Sequence, residues 1–219
     1  MTVAILDSGV HSSHPHLAGA AIAATEAIDD SFADVVDRLG HGTAVAAAIH
    51  DIAPDATLVV GKIFDRALTT NAAMLAKGIE WAAQRGARLI NLSLGTANRA
   101  HESMLREAIA TAAAAGAIVV SAREANGVVW LPGSLPGVVS VTSDAALERE
   151  ELIVDATGIV AAPYPRAIPG VPKERNLSGV SFAVANVSGI LARVLESQPT
   201  SRRIEDLYEV LKNVNSGRV

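Results

Sequence analysis

The sequence predicts an α/β fold, with a mostly parallel central sheet flanked by helices, and two observations carry that prediction. Short, largely apolar runs at Val3 to Leu6, Thr57 to Phe64, Arg88 to Leu92 and Ala117 to Ser121 have the character of strands buried on both faces. Between them lie small-residue or amphipathic stretches of helical length, closed by glycine, and strands that alternate with helices pair in parallel with helices covering both faces. The 219 residues, half of them apolar, supply one large core, and no shift in composition marks a second domain. Residues 1–219 are therefore read as a single domain.

Taken in order, Val3-Ala4-Ile5-Leu6 is a strand that ends on Asp7-Ser8-Gly9, which puts a carboxylate at the carboxyl edge of the sheet. A polar loop, His11-Ser12-Ser13-His14-Pro15-His16, follows. Three imidazoles invite a metal reading, but no further ligand has a fixed spacing to them and Pro15 breaks any helical face, so an exposed loop is expected. From Ala18 to Leu39 the pattern is poorly periodic and acidic, the mark of an irregular surface segment. Gly40-His41-Gly42-Thr43 then opens a small-residue helix over Ala44 to Ile49, which sets an imidazole at a helix start. After the turn Asp51 to Asp55 and the second strand, Asn71 to Gln84 reads as a helix stopped by Arg85-Gly86.

The strand Arg88 to Leu92 runs into Ser93-Leu94-Gly95, and a helix from Glu102 to Ala115 leads to the strand Ala117 to Ser121. Six prolines between Pro132 and Pro172 break the next stretch into short strands and loops. Gly179-Val180-Ser181-Phe182-Ala183 then enters the apolar run Val184 to Leu195. A serine just inside a helix start has its hydroxyl near free backbone N–H groups, a setting that suits a nucleophile as well as an ordinary cap. A closing amphipathic helix is expected over Ser201 to Asn213, with Ile204, Leu207, Tyr208 and Leu211 on one face.

Composition removes several classes of function. The net charge is −5 and no basic run exceeds Arg202-Arg203, so a phosphate-neutralising surface is absent and nucleic acid is not an expected partner. The chain has no cysteine, which excludes disulfides, thiolate metal sites and thiol catalysis. The apolar run Ala108 to Ala122 is too short to span a bilayer, so no membrane association is expected. Met1-Thr2 leads directly into the first strand with no signal peptide, and a cytoplasmic location is the expectation.

Asp7, His41 and Ser181 thus occur in that order, each in a glycine-marked setting. Four motifs across nearly the whole chain carry a resemblance: Ile5-Leu6-Asp7-Ser8-Gly9 with the histidine loop, His41-Gly42-Thr43, Asn91-Leu92-Ser93-Leu94-Gly95, and Ser178-Gly179-Val180-Ser181-Phe182-Ala183. Together they resemble the subtilisin family of serine peptidases, for which the order Asp, His, Ser is a signature. The resemblance implies a three-layer subtilisin-like fold, peptide or protein substrates, and hydrolysis through an acyl-enzyme with Ser181 as nucleophile, His41 as base and Asp7 orienting it. It also implies that an extended substrate adds as a strand along Ser93-Leu94-Gly95.

Three departures qualify it. The family's oxyanion asparagine falls, without gaps, on Ala125; either a one-residue shift lets Asn126 serve, or the side-chain donor is missing and backbone N–H groups act alone. The connection from Ala48 to Thr57 is too short for the inserted calcium loop of the extracellular enzymes, so no metal or cofactor is expected. Trp130 replaces a small residue near the specificity pocket, which predicts a shallow pocket for small side chains. The chain also lacks the pro-segment typical of secreted relatives. A peptidase that trims a specific precursor peptide fits these features, and a degenerate domain that binds peptides without efficient cleavage is the alternative.

Overall fold

The computed structural model describes residues 1–197 and 204–215. An eight-stranded sheet forms its middle layer. Its strands are β1 (Thr2–Asp7), β2 (Ala21–Ala27), β3 (Thr57–Lys62), β4 (Leu89–Leu92), β5 (Ile118–Ala122), β8 (Val138–Ser143), β9 (Leu152–Asp155) and β10 (Gly158–Ala161), in the order β2-β3-β1-β4-β5-β8-β10-β9. Every neighbouring pair is parallel except β10 with β9. A separate hairpin joins β6 (Glu124–Ala125) to β7 (Val128–Val129).

Alternate residues of each central strand feed two cores. Val3, Ile5, Val60 and Val120 pack with α1 (His41–Ile52), α4 (Val180–Ser197) and α5 (Ile204–Asn215) on one face. Ala4, Leu6, Ile90 and Val119 pack with α2 (Ala72–Gln84) and α3 (Glu102–Ala114) on the other. Strands covered on both faces have no polar side to show, which is why they read as continuous apolar runs.

The predicted elements of the first 122 residues shift by a few positions at their ends. Asn71 caps α2 by accepting from the Met74 N–H at 2.9 Å, and α1 begins at His41, ahead of the alanine run. The irregular segment expected over Ala18 to Leu39 is corrected: it contains β2, paired in parallel with β3 from Ala21 opposite Thr57 to Ala27 opposite Lys62. As an alanine-rich edge strand, largely exposed or half-buried, with Ile22 and Thr25 its only β-branched residues, it carries a weak form of the signal by which strands are read. The closing helix runs over Ile204–Asn215, with Leu207 and Leu211 buried; Ser201 to Arg203 lie outside the described residues.

Two close approaches set up the functional end of the sheet. A Cβ at Gly42 would overlap the Gly9 carbonyl oxygen and press on Asp7, so only glycine lets the first turn of α1 settle against the end of β1. A Cβ at Gly189 would lie 2.9 Å from that of Ile52, which brings α4 hard against α1. The helix α4 is apolar enough in length and composition to cross a bilayer, but 72% of it is buried inside this fold, and that burial accounts for its composition.

Candidate active site

Asp7 ends β1 with no exposed surface, and the first turn of α1 carries His41 over it. His41 Nδ1 lies 2.8 Å from Asp7 Oδ1, which also accepts from the Ser8 N–H at 2.8 Å. Asp7 Oδ2 is buried without a hydrogen-bond partner among the described residues, so the carboxylate depends on the imidazole for much of its stabilisation. Burial alone disfavours the imidazolium, but the hydrogen bond and charge of Asp7, with the charge of Asp37 behind it, outweigh burial and raise the His41 pKa above its ordinary value.

Ser181 stands in the first turn of α4, half-buried. The next residue, Phe182, brings its ring to 5.5 Å from the His41 ring, centroid to centroid, so the helix start lies beside the imidazole. A buried polar relay fixes α4 along its axis. The Ser188 hydroxyl donates to Asn91 Oδ1 at 3.0 Å, Asn91 Nδ2 donates to Ser93 Oγ at 3.1 Å, and Ser93 Oγ donates to the Ser181 carbonyl at 3.3 Å. The end of β4 thereby sets the position of the Ser181 turn. Among the described residues no hydrogen bond joins the Ser181 hydroxyl to His41; in unliganded sites such bonds commonly tighten only with substrate bound.

Beside this turn, Ser93, Leu94 and Gly95 line a cavity of about 280 Å³ together with Ala122, Ala125, Trp130 and Val180. The structure thus brings Ser93-Leu94-Gly95 and Trp130 to one wall. It does not bring Asn126 there. Asn126 is exposed at the tip of the β6-β7 hairpin with φ 53°, followed by Gly127 with φ 75°. Two successive left-handed residues of the type Asn-Gly make the tight turn that such hairpins favour. Asn126 thus lies in the hairpin turn, and Ala125 lines the cavity.

Sequence reasoning missed Asp37, which it counted among surface acids. It is 9% exposed, and its two oxygens accept five hydrogen bonds. Oδ1 takes the Leu39 and Gly40 N–H groups and the Ser8 hydroxyl at 2.7 Å; Oδ2 takes the Thr43 N–H and hydroxyl. Asp37 thus caps the helix that carries His41, where the backbone cap Gly40 has φ 75° and no side chain of its own to offer. Burial raises the Asp37 pKa, but these donors outweigh it and hold the carboxyl below its usual range. The loop in turn is held by buried Lys62, which donates to the Val36 carbonyl at 2.7 Å and to Asp65 at 2.6 Å. The signal that was available is the spacing of Asp37 to Thr43, a carboxylate within one turn of a helix start that lacks its own capping side chain.

Asp37→Asn is expected to lower the pKa of His41, because a negative charge that favours the imidazolium is lost. The acid limb of the kcat/KM profile should move to lower pH, with about 2 kcal/mol of stability lost from poorly matched donors. A pH profile and a thermal melt measure the two effects separately, and an unmoved limb would reduce Asp37 to a cap alone.

His11, His14 and His16 line a second cavity of about 290 Å³, bounded by Gly40 and Thr43 on either side of His41 and by Leu177 ahead of Ser181. His11 is exposed as expected, while His14 and His16 are half-buried. The described residues contain no group of three or more His, Asp or Glu arranged to hold a metal ion.

A carboxylate, an imidazole bonded to it and a helix-borne serine at the carboxyl end of a parallel sheet are the arrangement found in α/β serine hydrolases. Comparison with known proteins narrows this class. The sequence model of the Subtilase family matches residues 1–151, more than half of the chain. The chain belongs to the subtilase family. It is 33% identical over 213 residues to a thermostable alkaline protease of Halalkalibacterium halodurans, covering 90% of this chain and 57% of that protein. It is 30% identical to thermitase of Thermoactinomyces vulgaris, covering 91% of this chain and 76% of thermitase. Against the first of these, and against a thermophilic serine proteinase of Bacillus sp. strain AK1, the chain spans little more than half the relative's length.

Among solved structures, the prenylagaramide maturation protease PagA superposes with a TM-score of 0.71 at 28% identity, over 95% of this chain and 81% of PagA. The nisin leader peptidase NisP from Lactococcus lactis superposes with a TM-score of 0.73 at 21% identity, over 92% of this chain and 79% of NisP, a likeness of fold.

Proposed function

We propose that the chain is a serine endopeptidase that hydrolyses peptide bonds through an acyl-enzyme. The observation that carries this reading is the 2.8 Å bond between His41 and buried Asp7, with the Ser181 turn of α4 packed beside the same imidazole. Ser181 attacks the scissile carbonyl while His41 Nε2 takes its proton; His41 then returns that proton to the leaving amine, and water repeats the sequence on the ester. Asp7, bonded at Nδ1, keeps the proton on that nitrogen and stabilises the imidazolium. The acyl part of the substrate lies as an added strand along Ser93-Leu94-Gly95, with its side chain in the cavity that Trp130 narrows. Maturation of a precursor peptide is the physiological role we assign, supported by the likeness to PagA, which its name describes as a maturation protease.

A fluorophosphonate probe tests the chemistry, because only a serine activated by a base labels readily. Wild type should label at neutral pH and Ser181→Ala should not. A folded wild type that stays unlabelled would overturn the reading in favour of a peptide-binding domain.

A further inference from the structure

Resting on the peptidase reading, the geometry points to the histidine-lined cavity as the subsite for the leaving side of the substrate, selecting large apolar side chains there and rejecting lysine and arginine. Direction comes first. His41 must reach the leaving amine to protonate it, so the departing peptide crosses the His41 side of the site, and this cavity adjoins Gly40 and Thr43. The other cavity, along Ser93-Leu94-Gly95, adjoins Val180 and takes the acyl side.

Its chemistry follows from its walls. Ala44 and Ala47 of α1 and the side chains of Ile168 and Leu177 make it largely apolar. Ile168 is 41% and Leu177 53% exposed, large apolar groups left in water at the mouth of a cavity of about 290 Å³, enough for a leucine or an aromatic ring. No anion inside is free to meet a cation. Asp37, the carboxylate in the wall, already accepts five hydrogen bonds. Arg166, whose Nη1 donates to the His16 carbonyl at 2.9 Å, is ion-paired through Nε with Asp51 at 3.1 Å, and Asp51 is also held by Arg149 at 2.7 Å, so this nearby carboxylate is taken as well. Burial, with Arg166 next to it, holds the His16 pKa below its ordinary value, so this imidazole is neutral at pH 7. A lysine entering here would lose hydration and gain no partner, a cost that apolar side chains avoid.

Aminolysis of the acyl-enzyme isolates this subsite. An activated acyl-peptide ester without leaving-side residues forms the acyl-enzyme, and amino acid amides then compete with water for it. The amine nitrogen attacks the ester carbonyl, His41 takes a proton from that nitrogen, the bond from carbonyl carbon to Ser181 Oγ breaks, and Oγ recovers the proton. Leucine amide and phenylalanine amide are expected to intercept the acyl-enzyme at least about tenfold better than lysine amide. Ile168→Asp, at an exposed position that leaves the core untouched, should bring lysine amide to within about twofold of leucine amide by supplying the missing anion. An acyl-enzyme that forms but partitions equally among the amides, or a ratio unmoved by Ile168→Asp, overturns the subsite while leaving the peptidase reading intact. No acyl-enzyme at all overturns the peptidase reading and this inference with it.

Discussion

Ser181→Ala is expected to lower peptide-bond hydrolysis by about 10⁶-fold, the size measured for the nucleophile of subtilisin, a member of this same family. The fold should survive, because Ser181 lies in the first turn of α4, where alanine is a good helix former, and because the relay from Ser93 ends on the Ser181 carbonyl, which the substitution keeps. His41→Ala should cost nearly as much, since a hydroxyl without its base is a poor nucleophile. Asp7→Asn should cost less, on the order of 10⁴-fold, because it disturbs the imidazole without removing it. Active-site titration beside a thermal melt separates lost chemistry from lost structure. Substantial turnover by a folded Ser181→Ala variant would mean that another group is the nucleophile.

The second large effect is a gain. Ala125→Asn is expected to raise kcat by about 10²-fold with little change in KM, because it supplies a side-chain donor at the position that matches the family's oxyanion asparagine without gaps; the magnitude is the one measured for such a donor in subtilisin. In the proposed mechanism, without that donor, backbone N–H groups at the start of α4 would serve the oxyanion alone. Asn126→Ala, by contrast, should leave kcat within about twofold and cost about 1 kcal/mol of stability, since alanine tolerates φ 53° less well. A large loss of kcat in Asn126→Ala, with Ala125→Asn silent, would restore the role to Asn126.

How far this site could be read from sequence differed from residue to residue. Asp7 and His41 were legible because their neighbours are local: a buried strand ends at one, and a glycine-flanked helix start holds the other. The place of Asn126 was less legible, because residue type points to an oxyanion donor while Asn-Gly is also a turn signal in its own right. Asp37 was legible only as a cap of the helix that follows it, not as a group tied to the end of β1. Its partners include Ser8, far away along the chain, and backbone N–H groups that any sequence possesses. The strand β2 was lost because its alanines say little, and the exposed edge of β3 decides its fate instead. Trp130, expected near the specificity pocket, lines the same cavity as Ser93-Leu94-Gly95.

The docking of α4 against α1 has a consequence for the cell that makes this chain. Asp7 and His41 emerge from the ribosome early, whereas Ser181 arrives only after every strand of the sheet has been made. At synthesis rates of about 5–20 residues per second, His41 precedes Ser181 by on the order of ten seconds. In the proposed peptidase, the growing polypeptide carries the base and its carboxylate throughout that interval without the proposed nucleophile. The proposed peptidase's complete set of catalytic groups comes together only when α4 seats against α1, with α5 still to follow.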